Sequence, residues 1–435
     1  MSTNENETHE YEGPVAGARV VVVGLGYVGL PLAVRAAQVG HRVIGFDLDE
    51  NRVKSLCAGR SYIEDVPTDL VERLVDSGEL MPTVHPRDLA GFDVALIAVP
   101  TPLQEGLPDL GYVESAARTL ARYLRPGATV VVESTTYPGT TADLVAPLLE
   151  EGSGLVPGED FFLGYSPERI DPGNPTWTLL NTPKIVAGVN EQSQKAVQAF
   201  YDTVVETTIP VSSTQSAELA KLLENTFRHV NIALVNEIAM FADGLGIDVW
   251  EAIEAASTKP YGFMRFTPGP GVGGHCLPID PSYLSWHVER KLGQSFRFVE
   301  LANDINEHMP DYVVRRVGQA LNRRRRSING SRILLLGLSY KKNTGDARES
   351  PAVRVVTLLS SLGAEVRGAD PFVLEPTPVD DLVERVEATA EEVAAATAVV
   401  LLTDHDGFDY DLIARHASLV IDCRHRMAGP LVEYL

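Results

Sequence analysis

The chain is 435 residues long, more than a single hydrophobic core of roughly 250 to 300 residues accommodates, so two or three domains are expected. Its 44% hydrophobic content is ordinary for a globular protein, whereas the net charge of -22 and the pI near 4.9 argue against a nucleic-acid surface, because most of this exterior repels a phosphate backbone. No stretch approaches the roughly 20 apolar residues that span a bilayer, which argues against membrane insertion.

The opening MSTNENETHEYEG is polar and acidic and lacks the segments of a signal peptide, so residues 1–17 are read as a disordered tail on a cytoplasmic protein. Three cysteines, Cys57, Cys276 and Cys423, form neither a paired framework nor a metal-ligand spacing, so free thiols and no metal site are expected.

From residue 19, RVVVVGLGYVGLPLAVRAAQVGHRVIGFDLDE reads as a strand, a glycine turn, a helix stopped at Gly40 and a second strand, which is one βαβ unit. The turn GLGYVG (Gly24, Gly26, Gly29) matches G-x-G-x-x-G directly between strand and helix, with Asp47 eighteen residues beyond Gly29. The first glycine permits the tight bend, the second lets a pyrophosphate approach the helix N-terminus, and the third allows close helix–strand packing. Asp47 would accept hydrogen bonds from both ribose hydroxyls and repel a 2′-phosphate, so the expected dinucleotide is NAD. Arg52, a residue type that elsewhere accommodates that phosphate, is expected to be a surface helix charge.

Strands at VALIAVP (94–100), TVVVEST (129–135) and FFLGYS follow, separated by helical segments, and this alternation implies a parallel, doubly wound sheet. Ser134 and Thr135 end one of these strands, where they are placed to orient a water. Glu168, in GYSPERIDPG, lies in a proline-bounded loop after a strand, a setting for chemistry, with a plain surface carboxylate as the alternative.

After VSST (211–214) the 3.6-period run AELAKLLENTFRHVNIALVNEIAMFADGLG predicts a long helix, with Ser213 or Thr214 as N-cap and Gly244 or Gly246 as stop. Lys221 and Asn225, four residues apart, share a face of it. Next comes GPGVGGHCLPIDP (269–281), which sets Cys276 in a glycine-rich loop with Asp280 four residues on. A thiol with a pKa of about 8.5 is only a few per cent thiolate at neutral pH, so a nucleophile there needs a cation or a helix N-terminus. Lys221 is the candidate cation, and a small buried hydrophobe is the alternative role for the cysteine. The helical pattern runs to about residue 328 through FVELANDINEHMPDYVVRRVGQAL, which Pro310 is expected to kink or break. The basic run Arg323 to Arg326 is expected to be a solvated helix end.

At residue 332, RILLLGLSYKKN repeats the pattern of RVVVVGLGYVGL, and AEVRGADP, AVVLLTD and SLVIDCR complete a second, smaller α/β domain. The expected fold class is α/β, two Rossmann-like doubly wound parallel-sheet domains joined by a central helical domain, with boundaries 18–212, 213–328 and 329–435.

Taken in order, VVGLGYVGLPLA, VPTP, ESTTYPGT, YSPERIDPGN, AELAKLLENTFRHVNIALVNE, PGPGVGGHCLPIDP, YKKNTGDARESPA and TDHDGFDY cover essentially everything after about residue 17. Together they resemble the UDP-glucose/GDP-mannose dehydrogenase family of nucleotide-sugar dehydrogenases. The segments PERIDPGN, STKPYGF and GHCLPIDPSYLSW are most similar to its bacterial UDP-N-acetylglucosamine 6-dehydrogenase branch. The resemblance implies an NAD-dependent four-electron oxidation of the C6 hydroxyl of a UDP-sugar, with the aldehyde held on Cys276 as a thiohemiacetal and then a thioester. It implies Lys221 and Asn225 as oxyanion stabilisers and Asp280 in proton handling and water activation. It implies Glu168 in thioester hydrolysis, with Thr135 as its water-binding partner. The cofactor contacts it implies are Gly24, Gly26, Tyr27, Val28, Gly29, Asp47, Arg52, Thr101, Thr135 and Arg348. Those to substrate are Glu168, Arg169, Lys221, Asn225, Gly273 and Lys341. It further implies a homodimer or larger assembly through the central helices. The UDP-glucose branch has a second acidic position where Pro172 stands here beside Asp171, so that role does not transfer, and Arg169 becomes the candidate reader of the sugar's 2-substituent.

On residues alone, two other classes stay open. A two-electron β-hydroxyacid dehydrogenase shares the NAD domain, the helical domain and the Lys-x-x-x-Asn face, but needs neither the cysteine nor the second α/β domain. A non-catalytic nucleotide-binding regulator on the same scaffold would form no NADH. The sugar is open among N-acetylglucosamine, N-acetylmannosamine, N-acetylgalactosamine and glucose.

Overall fold

Val20, Val21, Val22 and Val23 are buried on both faces, as in a central parallel strand. The computed structural model describes residues 17–435 except 64, 105, 172, 173, 175, 275, 375, 376, 378, 380 and 381; for Cys276 and Pro278 it describes the backbone only. The four valines belong to β1 (Arg19–Val23) of an eight-stranded sheet completed by β2 (Arg42–Phe46), β3 (Leu80–Thr83), β4 (Val94–Ile97), β5 (Thr129–Val132), β6 (Phe162–Tyr165), β7 (Lys184–Gly188) and β8 (Thr208–Pro210). The order is β3-β2-β1-β4-β5-β6-β7-β8, so the winding reverses between β1 and β4, the switch point at which open α/β sheets bind ligands. Pairing is parallel except between β6 and β7, where Gly164 faces Gly188 and Tyr165 faces Ala187 in antiparallel register. The sequence reading missed β3, β7 and β8: Pro82 and Pro210 mask two of them, and β7 opens on Lys184.

The chain divides into two units, one ending at Leu223 and the other beginning at Glu224, and the division falls within the helix Thr214–Leu245. In the first unit, Leu30, Ala33 and Ala37 of helix Gly29–Gln38 and Phe200, Tyr201 and Val204 of helix Glu191–Val204 pack into one core with Val20, Val22 and Leu96. Ser213, not Thr214, caps the long helix, its Oγ accepting from Ser216 N–H at 3.2 Å. The helix stops at Gly246 (φ +69°), with Ile247 N–H bonded to Ala242 O and Gly246 N–H to Asp243 O, a closure that requires a left-handed residue.

In the second unit Pro310 does not break its helix, which runs from Arg297 to Arg323. Burial of Met309, Val313, Val317 and Leu321 in the core of the second sheet is worth about 1.5 to 3 kcal/mol each and outweighs the roughly 3 kcal/mol a mid-helix proline costs. Arg323 to Arg326 is the exposed end of that helix, with Arg323 and Arg324 paired to Glu433. The second sheet is parallel throughout, in the order Glu384–Arg385, Glu365–Ala369, Arg332–Leu336, Ala398–Leu401, Val420–Asp422 and Val432–Tyr434.

The two sheets open with the same turn. Asp47, just past β2, accepts from Leu25 N–H at 2.8 Å, and Asp370, just past Glu365–Ala369, accepts from Leu338 N–H at 2.7 Å. Gly24 and Gly337 make the bend with φ of +92° and +82°. Where the first turn has Gly26, however, the second has Ser339, whose hydroxyl lies 3.0 Å from Nε2 of the buried His405, which in turn is 3.0 Å from Asp370 Oδ2. The second turn thus carries a side chain bonded to His405 at the position where the first has an open glycine.

Asp370 also accepts from the N–H groups of Ser339, Phe372 and Val373. Burial opposes its ionisation, but His405 and the N–H donors outweigh burial and hold the carboxyl down at about 2. The stability it contributes is therefore present above the ordinary carboxylate range near about 4 and is lost as pH falls through about 2. Asp370→Asn sets an amide donor against N–H donors, and we expect it to cost about 2 to 3 kcal/mol at pH 7, a difference that shrinks as the pH is lowered. Denaturant titration of both proteins from pH 7 downward checks this, and an equal midpoint at pH 7 would refute it.

Candidate active site

At the first sheet's switch point, helix Gly29–Gln38 has no side-chain cap; Leu30 N–H and Leu32 N–H turn back to Gly26 O and Val28 O and Pro31 has no N–H, so it is the positive end of the helix dipole that this turn offers an anion. A Cβ added at Gly24 would meet Ala98 O at 2.5 Å and one at Gly29 would meet Gly24 O at 1.8 Å, whereas one at Gly26 would meet nothing within 4 Å. Gly24 and Gly29 therefore serve the protein's own packing, and Gly26 borders open space. Asp47 Oδ2 accepts from Leu25 N–H and its Oδ1 from Asp49 N–H at 2.9 Å, while Arg52 lies between two carboxylates, its Nη1 3.6 Å from Asp47 Oδ2 and its Nε 3.6 Å from Asp49 Oδ2. Tyr27 and Val28 lie half-buried between Gly26 and the helix, and Thr101 follows the end of β4. These residues fit an NAD, with its pyrophosphate at Gly26 and the helix start and its ribose hydroxyls on Asp47.

Gly26→Ala is expected to change stability by no more than about 0.5 kcal/mol, since the methyl touches no protein atom. It should nevertheless raise the KM for NAD by about tenfold or more, a cost of roughly 1.4 kcal/mol, by occupying the approach to the turn. Steady-state kinetics alongside a melting curve checks both, and an unaltered KM would remove Gly26 from the site.

Beside that crevice Ser134 Oγ donates to Val99 O at 2.8 Å, joining the ends of β5 and β4, and Thr135 follows half-buried. Glu168 is no surface carboxylate, being only 8% exposed. Its Oε1 accepts from the N–H groups of Arg169 and Ile170 at 2.6 Å each, and its Oε2 from Lys184 Nζ at 3.3 Å. Arg169 Nη1 donates to Pro183 O at 2.7 Å. Lys184 Nζ also donates to Glu133 Oε2 at 2.8 Å, and the other oxygen of Glu133 accepts from Tyr201 OH. Burial pushes the Glu133 carboxyl and the Tyr201 hydroxyl up; burial works against the Lys184 ammonium, but its two carboxylate partners more than offset this and raise it.

In the second unit Asn225 Nδ2 donates to Asp280 Oδ2 at 2.5 Å, and both residues are buried. Cys276 is the first residue of the helix Cys276–Leu292, with Asp280 one turn on. The glycine loop thus ends before the cysteine, which corrects the expectation of a loop position: the backbone of Cys276 opens a helix, the end at which a negative charge is favoured. The Cys276 side chain itself lies outside the described atoms. The loop's glycines have a packing role: a Cβ at Gly273 would meet Glu349 O at 2.6 Å and Tyr340 Cβ at 2.7 Å, one at Gly274 would strike the Tyr340 ring, and Gly274 N–H donates to Arg348 O at 3.1 Å. Asn236 Oδ1 accepts from Gly269 N–H at 2.9 Å, and Asn236 Nδ2 donates to Asn306 Oδ1 at 2.9 Å. The helix that carries Asn225 therefore pins the segment 269–280 at both ends from positions about three turns apart.

Of the remaining expected residues, Lys221 is buried one turn before Asn225. Arg348 forms a two-point pair with Asp346, at 2.8 and 2.5 Å, and Lys341 lies half-buried in the same turn, its carbonyl accepting from Ser339 Oγ and Thr344 Oγ1. Glu133, Lys184, Tyr201 and Asn236 were missed by the sequence reading. Glu133 alone carried a signal, as an acidic residue at the end of the apolar strand TVVV.

An acidic strand end beside a glycine turn open at Gly26, at the switch point of a doubly wound sheet, defines a dinucleotide-binding α/β protein. Residues 18–205 match the NAD binding domain, 215–308 the central domain and 334–428 the UDP binding domain of one family. The chain belongs to the UDP-glucose/GDP-mannose dehydrogenase family and is an NAD-dependent nucleotide-sugar dehydrogenase. It is 38% identical over 424 residues to the UDP-N-acetyl-D-mannosamine dehydrogenase of Pyrococcus horikoshii, covering 96% of this chain and 98% of that one. It is 39% identical over 357 residues to the UDP-N-acetyl-D-glucosamine 6-dehydrogenase of Pseudomonas aeruginosa, covering 82% and 83%. The solved UDP-D-ManNAc dehydrogenase structure from Pyrococcus horikoshii aligns with a TM-score of 0.86 at 35% identity, covering 96% of this chain and 98% of that one. Among the described residues no helix is long and apolar enough to cross a membrane.

Proposed function

We propose that this enzyme oxidises the C6 hydroxyl of a UDP-sugar to the carboxylate in two steps, keeping the aldehyde on Cys276. The observation that carries this reading is the buried Asn225–Asp280 pair one turn beyond a cysteine that opens a helix. NAD, when bound, accepts a hydride from C6 in each step. Lys221 and Asn225 stabilise the oxyanion that develops as the hydroxyl proton leaves, and Asp280 handles that proton. The Cys276 thiolate bonds to the aldehyde carbon, so the half-oxidised sugar does not escape, and later holds the acyl carbon as a thioester. Glu168, with Thr135, takes a proton from the water that attacks the thioester, and the C–S bond breaks to return the thiolate and release the acid. Lys341 and Arg348 serve the junction of UDP-sugar and NAD.

UDP-N-acetylglucosamine is the substrate we favour, because PERIDPGN, STKPYGF and GHCLPIDPSYLSW are most similar to that branch and a relative named for that sugar is 39% identical. The names of other relatives carry N-acetylmannosamine and N-acetylgalactosaminuronic acid, the latter the C6 acid of N-acetylgalactosamine, so the alternatives are UDP-N-acetylmannosamine, UDP-N-acetylgalactosamine and UDP-glucose. An NADH assay across the UDP-linked N-acetylglucosamine, N-acetylmannosamine, N-acetylgalactosamine and glucose should give two NADH per sugar, fastest with the first. One NADH per sugar, or none with any of them, rejects the reading. In the same panel Arg169→Phe should shift preference toward UDP-glucose, and an unchanged ratio would discharge Arg169 from sugar recognition.

We also propose a homodimer or larger assembly through the central helices. Phe227, Leu234, Ile238, Phe241 and Leu245 recur at helical spacing on one face of Thr214–Leu245 and are 43 to 74% exposed, an apolar surface that calls for a cover. A single-chain mass in sedimentation equilibrium would end this proposal.

A further inference from the structure

We infer that Lys184 is a positioning residue for the hydrolytic half of the reaction: anchored by Glu133 and Tyr201, it holds the Glu168 carboxylate in the orientation from which it activates water. This rests on the role proposed above for Glu168.

The antiparallel pair β6·β7 makes the contact possible. Its register, Gly164 opposite Gly188 and Tyr165 opposite Ala187, carried three residues further, places position 168 opposite position 184. A parallel β7, as in the rest of this sheet, would put Lys184 at the far end of the strand. The neighbouring residue adds a second tie in the same direction, since Arg169 Nη1 reaches Pro183 O. The Glu168 loop is thus strapped to the start of β7 at two consecutive positions.

The side chains of Lys184 and Glu133 are 3% and 0% exposed, so neither charge is met by water. An ammonium left unpaired at this depth is strongly disfavoured, and Glu133 offsets that penalty. Both Glu133 oxygens accept, one from Lys184 and one from Tyr201, which is the pattern of an ionised carboxylate. Lys184 is closer to Glu133, at 2.8 Å, than to Glu168, at 3.3 Å. Glu133 therefore fixes the ammonium, and the ammonium orients Glu168 without closing a tight pair with it. The acceptor sites of Glu168 show what this leaves: Oε1 spends both lone pairs on the Arg169 and Ile170 N–H groups and Oε2 spends one on Lys184. Among the described residues nothing takes the remaining acceptor direction, on Oε2, which is open to a water.

Lys184→Met alone would strand Glu133 as an unpaired buried charge and endanger folding, so the main variant is the double Glu133→Gln/Lys184→Met, which removes the charges together. With UDP-N-acetylglucosamine and NAD, this variant and Glu168→Gln should both lose about 10- to 100-fold in kcat, with both KM values within about threefold of the parent. Both should release NADH in a first burst of two per site, and intact-mass measurement of the quenched enzyme should find the sugar acyl group on Cys276. Lys184→Arg, which keeps a cation there, should recover part of kcat. If Glu168→Gln accumulates the adduct but the folded double variant turns over within twofold of the parent without one, the inference about Lys184 is wrong and the Glu168 reading survives. Parental turnover in Glu168→Gln overturns both, and the single variant identifies the fault.

Discussion

Cys276→Ser is expected to fold and to bind NAD, yet to lose at least about a thousandfold of the complete oxidation. Both residues are small and would open the same helix, so the substitution tests chemistry rather than packing. The sulfur contributes in two ways. Thiols in general ionise far more readily than hydroxyls, and the N-terminus of a 17-residue helix favours a negative charge. The sulfur is also the better leaving group, so the acyl carbon it holds is open to water where an ester would stall. The NADH count separates the steps, with at most one NADH per sugar expected from the variant and free aldehyde trappable by an added amine. Two NADH per sugar at the parental rate from a folded Cys276→Ser would sink the covalent scheme.

The second large effect is expected at Asp280. Its carboxylate sits 4% exposed against the Asn225 amide, and removal of a positioned proton acceptor costs typically 10² to 10⁴ in rate. Asp280→Asn keeps the shape but turns an acceptor into a group that presents N–H to the N–H of Asn225. We expect kcat to fall by about 10³, within that range, with KM for the sugar little changed, because the loss falls on the reacting protons rather than on sugar binding. Paired Michaelis curves check this. A variant that raises KM at constant kcat would make Asp280 a substrate-binding residue and remove its role with protons.

The legible parts of this protein are those written in local chemistry. A β-branched run followed by G-x-G-x-x-G needs no partner to announce its turn, because Gly24 and Gly29 are demanded by atoms of the same βαβ unit and of the strand beside it. Asp47 at the following strand end and the helical period of 214–245 are of the same kind. Pro310 shows where local reading fails: one residue's helix penalty is visible in sequence, while the burial that outweighs it belongs to a sheet whose strands come later in the chain. The glycines before Cys276 read as access for a ligand, and the structure shows Tyr340 and Glu349 lying against them.

The chain's own pattern therefore determined the two nucleotide-type sheets, the helices between them, the dinucleotide turn and the order of the candidate reacting groups, since each depends on residues within a turn or a strand of one another. Only the tertiary structure decided that Glu168 is buried, that a reversed strand brings Lys184 to it, and that Asn236 and Asn225 grip the cysteine segment from one helix. Those contacts join residues 16 to 55 positions apart, and a pairing of that kind depends on strand direction and helix phase, which composition and periodicity do not encode.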